Sequence, residues 1–364
     1  MSEISKDLVN SILSSYTVPY LEIDPISGNL VKDLSISENL IKLELELGIP
    51  VEGIQHVISK DLNALIKQYT SATDVIINIS SKIRAHAFQK NVNALKGVKN
   101  VIAVGSGKGG VGKSTLSVNL ALALHKEGAK VGMMDADIYG PSLPTMLGAH
   151  GKAESKDGKT VDPLQSHGIQ SISMGNMTDS DDTPVIWRGP MATSAMQQLI
   201  NDANWDNLDY LIIDLPPGTG DIQLTLCQKI PVTGAVIVTT PQDIALIDAN
   251  KALKMFEQVS VSVLGIVENM STHVCSNCGH EEAIFGTGGG ETMSERYDVP
   301  LLGQIPLAAQ VREAVDNGEP TVVSDPNSPI TATFLEVARQ VAAQVSRKPK
   351  NLALNMPKIV IENK

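Results

Sequence analysis

One stretch constrains this chain more than any other: Gly105-Ser106-Gly107-Lys108-Gly109-Gly110-Val111-Gly112-Lys113-Ser114-Thr115. The apolar run Val101 to Val104 enters it. A run with helical spacing leaves it, with Leu116, Leu120, Ala123 and Leu124 on one side. That is strand, glycine loop, helix. Within it, Gly107 to Ser114 fits G-x-x-x-x-G-K-[ST]. Such glycines let backbone N–H groups turn inward around phosphate oxygens, and the helix N-terminus adds a field that favours anions. In that geometry Lys113 reaches the β- and γ-phosphates and the Ser114 hydroxyl completes a Mg²⁺ shell. Gly107, Lys108, Gly109, Gly110, Val111, Gly112, Lys113, Ser114 and Thr115 are therefore expected to form a nucleotide site. A turn that merely needs positive φ would not explain two lysines, Lys108 and Lys113, so close together.

A chain of 364 residues has room for about two domains and a sizeable core. Aromatics are only 3% of it, so Ile, Leu, Val, Ala and Met must fill that core. A formal net charge of −11 with no basic stripe argues against a broad nucleic-acid surface. No apolar run reaches the roughly 18 residues of a membrane span. Met1-Ser2-Glu3-Ile4 lacks the basic and apolar regions of a secretory signal. The three cysteines, Cys227, Cys275 and Cys278, make no disulfide framework and fit a reducing cytoplasm. The expectation is a cytoplasmic protein with neither nucleic acid nor membrane as partner.

Residues 1–83 read as a small α+β module. Leu8, Val9, Ile12 and Leu13 have helical spacing, and strands are expected over 30–36, 41–47 and 75–79. An amphipathic helix is expected over 53–69, with Ile54, Val57, Ile58, Leu62, Leu65 and Tyr69 inward. Residues 84–99 are polar and read as a linker, partly helical. From 100 to 347 strands alternate with helices, and several strands are the continuous apolar runs of a buried parallel sheet. The pattern predicts a doubly wound, mostly parallel α/β domain. Residues 150–166 are expected on the surface, and 348–364 form a tail.

Ligands of open parallel sheets sit at the carboxyl ends of the strands. Asp135-Ala136-Asp137, Asp214-Leu215-Pro216-Pro217-Gly218 and Glu268-Asn269-Met270 all end strands. One acid at such a position is often only a helix cap; several on the edge that carries the glycine loop are harder to dismiss. Asp214 is expected to hold Mg²⁺, directly or through water, and Gly218 to aim a backbone N–H at the γ-phosphate. Further on, Cys275-Ser276-Asn277-Cys278 places two thiolates within reach of one metal centre. A tetrahedral sulfur site needs four ligands. Cys227 reads as a buried small apolar residue, and His273 and His280 flank the pair as further donors or as solvated side chains. A two-fold dimer would supply the count from two symmetry-related pairs. Thiolates suit an iron–sulfur cluster or Zn²⁺, and a redox dithiol is a third reading.

Lys108 is similar to the signature lysine of the deviant P-loop class that includes MinD, ParA, ArsA and nitrogenase reductase. Taken in order, the glycine loop, Asp135-Ala136-Asp137-Ile138-Tyr139-Gly140-Pro141-Ser142, Trp187-Arg188-Gly189-Pro190, Asp214 to Asp221, Glu268-Asn269-Met270 and the Cys275/Cys278 pair resemble the Mrp/ApbC family of iron–sulfur cluster carrier ATPases. The resemblance spans roughly 101–345. It implies slow ATP hydrolysis, a homodimer with a bridging [4Fe–4S] cluster on Cys275 and Cys278 of both chains, and exchange of that cluster with scaffold proteins and apo-protein clients. It implies that Lys108 reaches the partner's ATP and that Lys113 and Asp137 serve catalysis. Asp137 would orient or deprotonate water; it is preferred to Asp135 because it lies further beyond the strand. Asn269, and a position near Pro306 in the turn after the next strand, would contact adenine. Arg188 fits the pattern without a derivable role. The N-terminal module is similar, through Asp24-Pro25 and Gly28, to the small domain that opens many Mrp-type chains, and is assigned no chemistry. Two alternatives stay open: a MinD/ParA-type positioning ATPase, although residues 357–361 alternate like a strand, and an ATPase with a structural zinc at the cysteine pair.

Overall fold

Leu43, Leu45 and Leu47 alternate with Lys42, Glu44 and Glu46, and that period of two makes a half-buried strand. In a computed structural model, which describes residues 4–138, 140–155, 157–177, 189–275 and 277–351, it is the middle strand of a small sheet. The N-terminal module runs α1 (Lys6–Ser14), β1 (Val31–Ser37), β2 (Leu40–Leu47), α2 (Gln55–Tyr69) and β3 (Asp74–Ser81). β2 pairs antiparallel with β1 and parallel with β3. The inward stripe of α2 is narrower than its sequence suggests. Ile58, Leu62 and Ile66 are buried, whereas Val57 and Tyr69 are exposed, because one sheet face covers only one side of the helix.

The larger sheet begins with β4 (Val98–Ser106), buried almost throughout, followed by α3 (Lys113–Lys126), β5 (Val131–Asp135), α4 (Leu143–Met146), β6 (Leu164–Ser166) and β7 (Ile169–Ser173). Then come α5 (Gly189–Asp202), β8 (Leu208–Asp214), α6 (Asp221–Lys229), β9 (Gly234–Thr239), α7 (Asp243–Gln258), β10 (Val263–Val274) and β11 (Glu281–Glu282). The chain continues through α8 (Gly289–Tyr297), β12 (Leu301–Leu307), α9 (Ala309–Asp316), α10 (Thr321–Ser324) and α11 (Pro329–Ser346). Among the described residues nine strands order as β11-β10-β9-β4-β8-β5-β7-β6, with β12 also on β10. All neighbours are parallel except the β6–β7 and β10–β11 pairs. This is a doubly wound α/β sheet. β4 lies where the connections diverge, with β8, β5 and β7 to one side and β9, β10 and β12 to the other. The crevice beyond its carboxyl end is where such sheets take ligands.

Two apolar clusters flank the sheet. One gathers α5, α6 and α7; the other holds α3 and α11 and continues without a break into Leu43, Ile58 and Leu62 of the N-terminal module. α3 is buried from Leu116 to Leu124 on every side rather than along a single stripe, because α11, α10 and α4 pack on it as well as the strands β4, β5 and β8. Residues 82–97 form no helix, and Ile83, His86, Gln89 and Leu95 are buried. They behave as a packed strap, and the final two residues of the expected linker already belong to β4. The tail beyond Asn351, with the strand-like stretch 357–361, lies outside the described residues.

A buried carboxylate fastens module to sheet domain. Glu127, at the end of α3, accepts from Arg339 Nη2 at 2.7 Å and from Gly53 N–H at 3.0 Å. A Cβ at position 53 would meet the ends of both side chains, so a larger residue there would have to displace this ion pair. Tyr20 adds a hydrogen bond to Glu336 at 2.7 Å. Removing Arg339 strands a nearly inaccessible charge that keeps only its Gly53 partner. Arg339→Ala is expected to lower unfolding stability by roughly 3 kcal/mol, the low end of the cost of breaking a buried pair. Urea denaturation of the full chain checks this, and a loss below about 1 kcal/mol, the value of an exposed pair, would contradict it.

Candidate functional site

The carboxyl edge of β4, β5 and β8 collects the acidic and glycine motifs. Gly107 to Gly112 connect β4 to α3, whose first residue is Lys113. Gly112 takes φ +81°, and a Cβ there would strike the Asn269 amide. Around Gly110 nothing lies within 4 Å of the Cβ position, so that side of the loop is open. Asp214, at the end of β8, is buried and is the hub. It receives Lys113 Nζ at 2.7 Å, the Ser114 hydroxyl at 2.5 Å and the Ser117 hydroxyl at 2.7 Å. Lys113 Nζ also lies 3.2 Å from Ser114 Oγ. Thr115 follows in the first turn of α3.

Asp135 ends β5 directly opposite Asp214 in the strand register. Its carboxylate accepts the backbone N–H groups of Asp137 at 3.0 Å, Ser142 at 2.9 Å and Leu143 at 3.1 Å. Burial, and then the charge of Asp214, push its pKa up to about 7 against the pull of those N–H donors. It is a positioning carboxylate that shapes the loop, whereas Asp137 stands two residues beyond the strand, half-buried at the rim.

Several expectations meet a different geometry. The Gly218 N–H, expected to face a γ-phosphate, is donated to the Ser106 carbonyl at 2.9 Å. Asn269, expected at adenine, donates its amide to Val111 O at 2.8 Å and so clamps the glycine loop. Pro306 lies inside β12 rather than in a turn, one residue past the Ile305 that pairs with Asn269. Lys108 folds back along its own chain, with Nζ 3.4 Å from Gln242 Oε1 at the start of α7. Trp187 and Arg188 lie outside the described residues. Two supports, Ser117 and Gln242, went unread in the sequence. Ser117 sits on the Asp214 side of α3, four residues after Lys113, and that spacing was the available signal. Gln242 gave none. Glu268 is buried and accepts Gly290 N–H at 2.6 Å at the start of α8, where a carboxylate is favoured.

The cysteine pair occupies the tip of a hairpin. β10 runs past Asn269 and Met270 and turns back as β11, pairing His273 with Glu282 and Val274 with Glu281. Cys275 N–H donates to His280 O at 2.9 Å, and Gly279 N–H to Cys275 O at 2.8 Å. Cys275 is partly exposed and Cys278 exposed. Backbone N–H groups of Asn277 and Cys278, and then the Cys278 thiol, hold the Cys275 thiol below the ordinary range. The His273 ring is tied to Leu307 O at 3.1 Å. Among the described residues no three His, Cys, Asp or Glu side chains converge on a metal position. Cys227 is buried in the α5–α7 cluster, and burial pushes its pKa up to about 12.

Residues 97–342 match the family model of the NUBPL iron-transfer P-loop NTPases. The chain belongs to that family. In this iron-transfer P-loop NTPase, residues 6–79 match a second model, that of the iron–sulfur cluster assembly proteins, in line with the weak likeness of the N-terminal module. The iron–sulfur cluster carrier protein of Haemophilus influenzae is 50% identical over 338 residues, covering 93% of this chain and 91% of the relative. A nucleotide-binding protein of Archaeoglobus fulgidus, solved with ADP, is 36% identical with a TM-score of 0.57, over 66% of this chain and 93% of the other. The cell division ATPase MinD of Pyrococcus furiosus, at 23% identity and a TM-score of 0.52 over 66% and 98% of the two chains, shares the fold. No helix among the described residues is long and apolar enough to cross a membrane.

Thiol reactivity tests the hairpin geometry. In the reduced, metal-free chain, iodoacetamide is expected to label Cys275 below the ordinary thiol range near pH 8.5 and to leave Cys227 untouched without denaturant. Cys278→Ala removes one donor, so the labelling midpoint of Cys275 moves to higher pH. Peptide mass spectrometry across a pH series reads this, and a midpoint that fails to rise would contradict the donor assignment.

Proposed function

We propose that this chain is an ATP-hydrolysing carrier that holds an iron–sulfur cluster between two copies of itself and passes it to apo-proteins. The observation that carries the reading is the hairpin. It presents two accessible thiols and, among the described residues, no third ligand beside them, at the end of the strand whose Asn269 clamps the glycine loop. Two copies facing each other at these tips supply four sulfurs, the number that one [4Fe–4S] cluster takes. Cluster scaffold proteins and apo clients are then the partners, in the cytoplasm, without nucleic acid or membrane. The curated relatives' name, iron–sulfur cluster carrier, favours this over a structural zinc.

The residues at the sheet edge fit a magnesium nucleotide. Ser114 and Asp214 supply the oxygen donors a hard cation takes. Lys113 and the open turn around Gly110 supply positive charge and N–H donors at a helix N-terminus. Bound Mg²⁺ would contribute charge neutralisation at the phosphates. Lys113 would leave Asp214 for the β- and γ-phosphates, and Asp137 would orient water and accept its proton. Asn269 and Pro306, adjacent across β10 and β12, would flank adenine. Lys108 would leave Gln242 and extend to the nucleotide of the partner copy. Because Asn269 and the thiol hairpin share β10, exchange of the Asn269–Val111 bond for a nucleotide contact gives the nucleotide a route to the hairpin.

Anaerobic reconstitution with iron and sulfide tests this. Wild type is expected to turn brown, absorb in the visible and hold iron and sulfide in equal amounts, while Cys275→Ala stays colourless. A cluster retained undiminished in Cys275→Ala, or a colourless wild type with stoichiometric zinc, would overturn it. Lys113→Ala is expected to lower ATP turnover by roughly a hundredfold, the effect of losing one preorganised charge donor. Unchanged turnover would remove Lys113 from the catalytic set.

A further inference from the structure

A second site lies where the N-terminal sheet, the strap of residues 82–97 and the end of α11 meet. It encloses a cavity of about 180 Å³. Lys32, Lys82, Arg84 and Lys350 line it, and Glu46 is the one carboxylate among the described residues of its wall. In a chain of net charge −11, that local excess of positive charge is unexpected. Cations brought from three separate segments repel one another unless an anion lies between them.

Glu46 already shows that the cluster accepts a carboxylate. Lys32 and Arg84 approach one of its oxygens at 3.4 and 3.1 Å, and Lys82 the other at 3.6 Å. Burial alone would raise the pKa of Glu46; the three cations overcome that and hold it below the usual range. The acid is the deeper partner, 19% exposed against 40% for Arg84, so the cations still open outward with charge to spare. A solvated rim would account for one or two lysines. Here a guanidinium and three ammonium groups at one rim outnumber the single carboxylate beneath them, so the mouth of the cavity carries a net positive field.

His86 forms part of the same wall and is buried. Asn100 fixes its ring. The Asn100 amide nitrogen donates to Arg84 O at 2.9 Å and Asp209 O at 3.1 Å, which leaves its oxygen as the acceptor. That oxygen lies 3.0 Å from His86 Nδ1, so Nδ1 carries the hydrogen. The neutral ring therefore keeps Nε2 as its unprotonated nitrogen, and burial, with the charges of Lys350 and Lys348, holds its pKa below the ordinary value.

We propose that this cleft binds a compact oxyanion bearing two or more negative charges, a phosphate or a small dicarboxylate, held by Arg84, Lys82, Lys32 and Lys350 beside Glu46. Its walls belong to both the N-terminal module and the end of the sheet domain, so an occupant bridges the two and stabilises their docking by mass action.

Isothermal titration calorimetry on the full chain is the test, with ADP already saturating the glycine loop. Inorganic phosphate and succinate are titrated in separate arms, and the arm that saturates identifies the source of the oxyanion. One anion per chain is expected in at least one arm. Removing two charge-assisted partners in Arg84→Gln/Lys82→Gln is expected to weaken it by roughly tenfold or more. Glu46→Gln removes the resident competitor and is expected to tighten binding severalfold. ADP affinity and circular dichroism, unchanged in both variants, verify folding. No saturable binding in either arm, or an affinity unaltered by the double substitution, overturns the proposal. Should the double variant not fold, Glu46→Gln decides alone, and unchanged or weaker binding there overturns it.

Discussion

The Asp214–Lys113 contact organises the functional edge of the molecule. Both groups are almost inaccessible, with side-chain exposures of 2% and 6%. A buried pair of this kind is a weak source of net stability, because desolvation offsets most of the attraction. Its effect is on position. Asp214 ends β8 beside β4, so the salt bridge draws the first turn of α3 down onto the sheet, and Ser114 and Ser117 add their hydroxyls to the same carboxylate. Asp214 is the anionic partner of Lys113 in this arrangement. The same carboxylate raises the proton affinity of Asp135 across the register, which then shapes the loop carrying Asp137.

β10 extends that arrangement outward. Its first half is a buried parallel strand of the sheet; its second half leaves β9 behind and becomes one arm of the thiol hairpin. Asn269 and Met270 stand at the change. Met270 takes φ +58°, a conformation that costs a non-glycine side chain of order 1 kcal/mol and is held only where its surroundings determine it. The residue that clamps the glycine loop and the hairpin that carries the thiols are thus joined through one strand, β10, with the strained Met270 next to Asn269.

Much of this was legible in the residues alone. Apolar runs with flanking glycines and acids gave the doubly wound domain, and ordered motifs gave the family, because strand burial and phosphate chemistry both leave local signatures. What stayed hidden was set by contacts between distant segments. Position past the strand end ranks Asp137 above Asp135 in the sequence, but only the pairing of β5 with β8 shows that Asp135 is a buried support. The helix over Lys113–Lys126 reads as one-sided, yet α11, α10 and α4 pack on it besides the sheet. The strap of residues 82–97 looks like a solvated linker because its polar groups are satisfied by partners such as Asn100 and Cys227, which sequence does not bring near. Gly218 and Asn269 carry recognisable motifs, but the hydrogen bonds they make in this structure are to Ser106 and Val111.

The proposed carrier function depends on a ligand count: one hairpin offers two thiols, and a [4Fe–4S] cluster takes four. Native mass spectrometry of the reconstituted protein measures that count directly. The expected species is two chains plus one [4Fe–4S] unit, falling to single, cluster-free chains in Cys278→Ala. A single chain carrying a complete cluster, or a cluster-bearing dimer that persists without Cys278, would contradict it.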